Sequence, residues 1–196
     1  MAVLTERAMF YHIPKCGGTW VRQAMENAGI ACKTAPITWR HPFGPMIHRT
    51  HAAPGNVRDD ARGGRFAFTF VRHPVEWYRS YWTSIQGVRP RGNWWLDRLP
   101  RDDLNEWALA LIAQYPGFVT DLYRQYAPVE FVGKRERLPD DLVEALTQAG
   151  ETFDEDALRA TPRVNVGATV GVDTFEPGVL DAIREAERDG IRRWYA

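Results

Sequence analysis

The feature that most constrains this chain is a short apolar run broken by a proline and then by two glycines: AMFYHI at residues 8–13, then Pro14-Lys15-Cys16-Gly17-Gly18-Thr19-Trp20. The run has the length of a buried strand and is too short for a helix. Beyond the glycines, Val21, Ala24, Met25 and Ala28 recur at i, i+3, i+4 and i+7, and Gly29 supplies a stop. The first thirty residues therefore read as strand, glycine turn, helix. A second run, FAFTFV at residues 66–71, ends in Arg72-His73-Pro74, with Pro74 suited to the first turn of a helix. The stripe Val75, Tyr78, Trp82 and Ile85 continues that helix.

Further along, Asp102 or Asp103 caps a helix through Tyr115, which Pro116-Gly117 stops. Residues 118–126 read as another helix and 129–132 as a third strand ended by Gly133. Helices follow at 139–149, 154–160 and, as one long polar element, 177–195. Residues 33–64, with room for one short strand or helix, and 87–100 read as long loops, the kind that carry function. Strands alternating with helices imply a mainly parallel sheet covered on both faces.

Composition narrows the function. The 196 residues carry 25 Lys+Arg and 25 Asp+Glu, and this balance argues against binding to a nucleic-acid polymer. No apolar run approaches the roughly 20 residues of a membrane span, and residues 1–7 lead into no signal-peptide core. Two cysteines, Cys16 and Cys32, make neither a disulfide framework nor a zinc set, so the expected setting is reducing and cytoplasmic. No carboxylate cluster demands a metal.

A glycine turn between a strand end and a helix start offers backbone N–H groups and the positive end of a helix dipole to an anion. Lys15 adds a charge and Thr19 a hydroxyl. The chain uses Arg 22 times and Lys three times, so Lys at this turn points to a need for a compact ammonium. A tight strand–helix turn with an exposed Lys is the alternative reading of this segment alone. The order is not that of a Walker A loop, because Lys15 precedes the glycines. Arg72 at a strand's carboxyl end, with Ser80 two helical turns on, would converge on a second anion. An Arg72–Glu76 surface pair with a solvated Ser80 is the alternative.

Together, HIPKCGGTW and FAFTFVRHPVEWYRSYW resemble the two nucleotide-binding motifs of sulfotransferases that use 3′-phosphoadenosine 5′-phosphosulfate (PAPS), closest to the bacterial and Golgi-type "HIPKTGG" group. Residues 131–136 (FVGKRE), 163–167 (RVNVG) and 189–195 extend the likeness through most of the chain. The resemblance implies a single sulfotransferase-like domain over residues 1–196, a P-loop-like three-layer α/β/α fold around a central, mainly parallel sheet. It implies transfer of a sulfuryl group from PAPS to a hydroxyl or amine of a saccharide or small natural product. Lys15 would contact the bridging oxygen and the transferring group. The N–H groups of Cys16, Gly17, Gly18, Thr19 and Trp20, with the Thr19 hydroxyl, would hold the 5′-phosphate. Arg72 and Ser80 would hold the 3′-phosphate. Cys16 stands where the family often has Thr, and Trp20 where it often has Ser or Thr. The chain is also short for the family, which would trim the acceptor site.

Sulfuryl transfer needs positioning, charge stabilisation and a base. His51, in Arg49-Thr50-His51-Ala52-Ala53-Pro54, resembles a family GH-x-P segment and is the expected base, with a loop carboxylate as its rival. His12 reads as a histidine that positions the turn, His73 as a helix cap, and His41 and His48 as solvated. Trp39, Phe43, Trp94 and Trp95 would wall an acceptor pocket or lie in plain loops. A P-loop kinase using ATP and Mg²⁺, or a nucleotide-binding module without transfer activity, are the competing functions. Oligomeric state is not encoded in these patterns.

Overall fold

The computed structural model describes residues 2–36, 51–87, 95–164 and 174–196. In chain order the elements are strands β1 (Ala2–Leu4) and β2 (Ala8–Tyr11), helix α1 (Gly18–Asn27), strand β3 (Lys33–Thr34), helix α2 (Asp59–Arg62) and strand β4 (Phe66–Val71). Helices α3 (Pro74–Ile85), α4 (Leu104–Gln114) and α5 (Phe118–Tyr126), strand β5 (Phe131–Lys134) and helices α6 (Asp140–Ala149), α7 (Glu155–Arg159), α8 (Pro177–Ala186) and α9 (Arg188–Tyr195) follow. The chain falls into two compact units: Met1–Arg72 with Arg124–Val164, and His73–Tyr123 with Asn165–Ala196.

The first unit contains a mixed α/β sheet in the order β3-β1-β2-β4-β5. Strands β2, β4 and β5 run parallel, with Phe10 beside Phe68 and Phe68 beside Phe131. Strands β1 and β3 are antiparallel additions: β1 was not disclosed by the sequence patterns, and β3 is a short strand at the start of the segment read mostly as loop. The reason is connection length. Three residues join β1 to β2, enough for an antiparallel return, whereas parallel neighbours need a crossover of a dozen or more residues. The return is pinned by its own Thr5 and by Glu151, whose Oε1 accepts from the N–H groups of Arg7 at 2.9 Å and Ala8 at 3.1 Å. Thr5 Oγ1 accepts from Ala8 N–H at 2.8 Å.

One face of the sheet presents Phe10, Phe68 and Phe70, stacked or edge-on within 6.0 Å of one another. Val21, Ala24 and Met25 of α1, Leu142, Ala145 and Leu146 of α6, and Leu158 of α7 bury that face. Each of these side chains lies at a helical spacing on its own element, so an apolar stripe becomes a packed layer. Strand β5 begins and ends two residues later than its sequence pattern implied. Gly133 sits inside the strand, where the Phe70 ring covers it.

The second unit is helical among its described residues. Asp103 caps α4 by accepting from Asn105 and Glu106 N–H groups at 2.8 Å. An aromatic core joins Trp77, Tyr78 and Tyr81 of α3 to Trp107 of α4 and Phe118 of α5, with Trp77–Tyr81 and Tyr81–Trp107 centroids 5.0 and 5.7 Å apart. The element expected as one helix over 177–195 is divided at Glu187. The Glu187 side chain is fully buried and accepts from Tyr78 Oη at 3.0 Å, Val119 N at 3.1 Å, Thr120 N at 2.8 Å and Thr120 Oγ1 at 2.6 Å. Those donors, two of them unsatisfied N–H groups at the start of α5, draw the carboxylate inward and break the helix there. Among the described residues, no helix is long and apolar enough to cross a membrane.

Candidate anion site at the carboxyl ends of the parallel strands

The chain leaves β2 at Tyr11 and turns at residues 14–17 before α1 begins. Cys16 N–H donates to the Ile13 carbonyl at 3.3 Å, closing the turn. Within it Lys15 has φ +69°, an uncommon conformation for a residue with a Cβ, and Gly17 has φ +86°. Such local strain persists only where the surroundings enforce it, and it concentrates at functional sites.

The first α1 bond runs from Val21 N–H to the Gly17 carbonyl at 3.1 Å. The N–H groups of Gly18, Thr19 and Trp20 precede it and stand at the helix's positive end. Thr19 is exposed there. Cys16 is buried, at 1% exposure, so its side chain belongs to the core and its N–H to the turn. The Trp20 indole donates to the Thr161 carbonyl at 3.2 Å, and Asn27 Nδ2 donates to Thr161 Oγ1 at 3.0 Å. Trp20 thus ties α1 to the segment after α7.

Lys15 is partly buried, and its Nζ makes no hydrogen bond or ion pair among the described residues. Burial lowers its pKa from the ordinary lysine value, and the Arg72 charge lowers it further. Arg72 follows β4, the parallel neighbour of β2, and its Nη1 donates to the Lys15 carbonyl at 3.4 Å. The structure therefore brings Lys15, Arg72 and the glycine turn together. Ser80 is partly buried on α3, in the second unit. Glu76 on the same helix accepts from Arg79 Nη1 at 2.9 Å.

His12 lies against the turn from below. A Cβ at Gly18 would fall 1.9 Å from His12 Cδ2, so the ring occupies the space that any larger residue would need. Burial, reinforced by the neighbouring His51, pushes the His12 pKa well below the usual histidine value. The His51 ring is 4.7 Å from the His12 ring, centroid to centroid. The His51 backbone carbonyl accepts from Tyr126 Oη at 2.7 Å, which anchors the residue to the end of α5. His73 starts α3, and its ring meets Tyr195 edge-on at 5.0 Å. His41, His48, Trp39, Phe43, Trp94 and the Trp95 side chain lie outside the described residues, as do residues 165–167 of the RVNVG segment.

Sequence reasoning passed over Arg135. It follows β5, and its Cγ would be 3.4 Å from a Cβ on Gly17. Three consecutive parallel strands, β2, β4 and β5, thus lead at their carboxyl ends into Lys15, Arg72 and Arg135. The available signal was a basic residue just past the end of each parallel strand, at the edge where open α/β sheets bind ligands. Among the described residues no group of His, Cys, Asp and Glu is disposed to hold a metal ion. Comparison of the chain with family models, with curated proteins and with solved structures finds no match.

Proposed function

We propose that the chain is a PAPS-dependent sulfotransferase with a P-loop-like three-layer fold. The observation that carries this reading is the meeting of Arg72 and Lys15 at the glycine turn, two cations at the carboxyl ends of adjacent parallel strands. Bringing two positive charges together is unfavourable unless anionic groups offset it, and the turn adds N–H donors suited to such a group. The sequence resemblance assigns the 5′-phosphosulfate to Lys15 and the turn, and the 3′-phosphate to Arg72 and Ser80.

In this mechanism the acceptor oxygen forms a new bond to sulfur in line with the bond that breaks, and the bridging oxygen leaves with the electron pair on 3′,5′-diphosphoadenosine. Lys15 Nζ stabilises the charge gathering on that leaving oxygen. The N–H groups of Gly18, Thr19 and Trp20 hold the phosphate still while the charge moves. His51 takes the acceptor proton. Its support is position: its ring adjoins His12, which packs on Gly18. The acceptor would be a saccharide or small natural product.

Calorimetry tests the reading directly. The protein should bind 3′,5′-diphosphoadenosine and consume PAPS in the presence of a suitable acceptor. Preference for ATP with Mg²⁺ would make it a kinase. Tight nucleotide binding with no PAPS consumption across a broad acceptor panel would make it a binding module.

A further inference from the structure

We infer that Arg135 is a third cationic contact for an anionic ligand at the glycine turn. This rests on the anion reading of the turn given above and adds a residue to it.

The placement is specific. The Arg135 stem packs against Gly17, the left-handed residue of the turn, with Leu138 Cδ1 alongside, 3.2 Å from the position of a Gly17 Cβ. Arg135 is exposed, and its guanidinium makes no hydrogen bond or ion pair among the described residues. Nearby cations are engaged differently. Arg137 pairs with the buried Asp141 at 2.9 Å. The other oxygen of Asp141 accepts from Lys134 N–H at 2.6 Å. Asp141 therefore holds the Lys134 backbone and the Arg137 side chain, on either side of Arg135.

A planar guanidinium is the group that binds phosphate or sulfate in a two-pronged way.

The test is a calorimetric titration of the full chain with two probes, 3′,5′-diphosphoadenosine and inorganic pyrophosphate. It compares the wild type with Arg135→Ala, Arg135→Lys and a control, Arg58→Ala. Arg58 is an exposed residue paired with Asp60 near α2, which leads into the opposite, amino end of β4. Arg135→Ala should weaken both probes about tenfold or more, Arg135→Lys less so, and Arg58→Ala not at all, with unchanged circular dichroism throughout. Equal affinity of wild type and Arg135→Ala for a probe that the wild type binds overturns this inference and leaves the sulfotransferase reading intact. Binding of pyrophosphate but not of the nucleotide, still dependent on Arg135, upholds the inference and removes that reading. A wild type that binds neither probe overturns both.

Discussion

The Arg72 guanidinium donates from Nη1 to the Lys15 backbone carbonyl at 3.4 Å, across 57 positions of sequence. One side chain thus supplies charge to the site and also holds the strained residue of the turn. Arg72→Ala should remove both effects: affinity for 3′,5′-diphosphoadenosine falls tenfold or more, as about expected for a charge-assisted contact, and amide exchange at residues 15–18 accelerates. Arg72→Lys keeps the charge without the fork and should recover only part of the affinity. Unchanged exchange in Arg72→Ala would show that the turn holds itself.

Lys15→Ala addresses the chemistry. Removing a group that stabilises transition-state charge should cost about 10²-fold or more in turnover at saturating PAPS, with a smaller change in binding of the nucleotide product. Near-normal turnover would remove Lys15 from the reacting centre.

The Gly18–His12 contact is a packing prediction. Gly18→Ala places a methyl group inside the imidazole and should destabilise the protein by about 1–3 kcal/mol in urea denaturation. Combining it with His12→Ala opens space for the methyl, so the double variant should be more stable than the sum of the two single costs. Simple additivity would show that the ring swings clear without penalty.

His12 also sets a pH dependence. Its folded pKa is depressed, mainly by burial, so below about pH 6.5 the unfolded chain takes up a proton that the folded chain does not. Stability therefore falls as pH drops through that region, by at most about 1.4 kcal/mol per unit from this group. Urea midpoints measured at pH 7.5, 6.5 and 5.5 should show the decline, and His12→Asn should flatten it. A His12 imidazole NMR signal titrating near pH 6.5 would contradict the assignment.

Glu187 should dominate stability in the second unit. Glu187→Ala leaves Tyr78 Oη, two N–H groups and the Thr120 hydroxyl without their shared acceptor and should cost about 3 kcal/mol or more. Tyr78→Phe deletes a single donor and should cost about 1 kcal/mol. Similar losses for both variants would show that the other three bonds contribute little.

What the sequence determined by itself was local. The strand, glycine turn and helix over the first thirty residues, the strand at 66–71, the Pro74 helix start and the Asp103 cap all follow from short-range spacing, breakers and capping chemistry. The glycine turn and Arg72 were legible as anion-binding candidates because each sits at a strand end. Strands of three and two residues, β1 and β3, are too short to show a period, and their antiparallel pairing depends on partners elsewhere in the chain. The break at Glu187 was hidden for a related reason: 177–195 has helical periodicity throughout, and only donors on α3 and α5 turn that side chain inward. Tertiary structure alone put His12 under Gly18, His51 beside His12 and Arg135 against Gly17. These contacts join residues on different elements, and no helix or strand period encodes which side chains the packing of a sheet will bring to one edge.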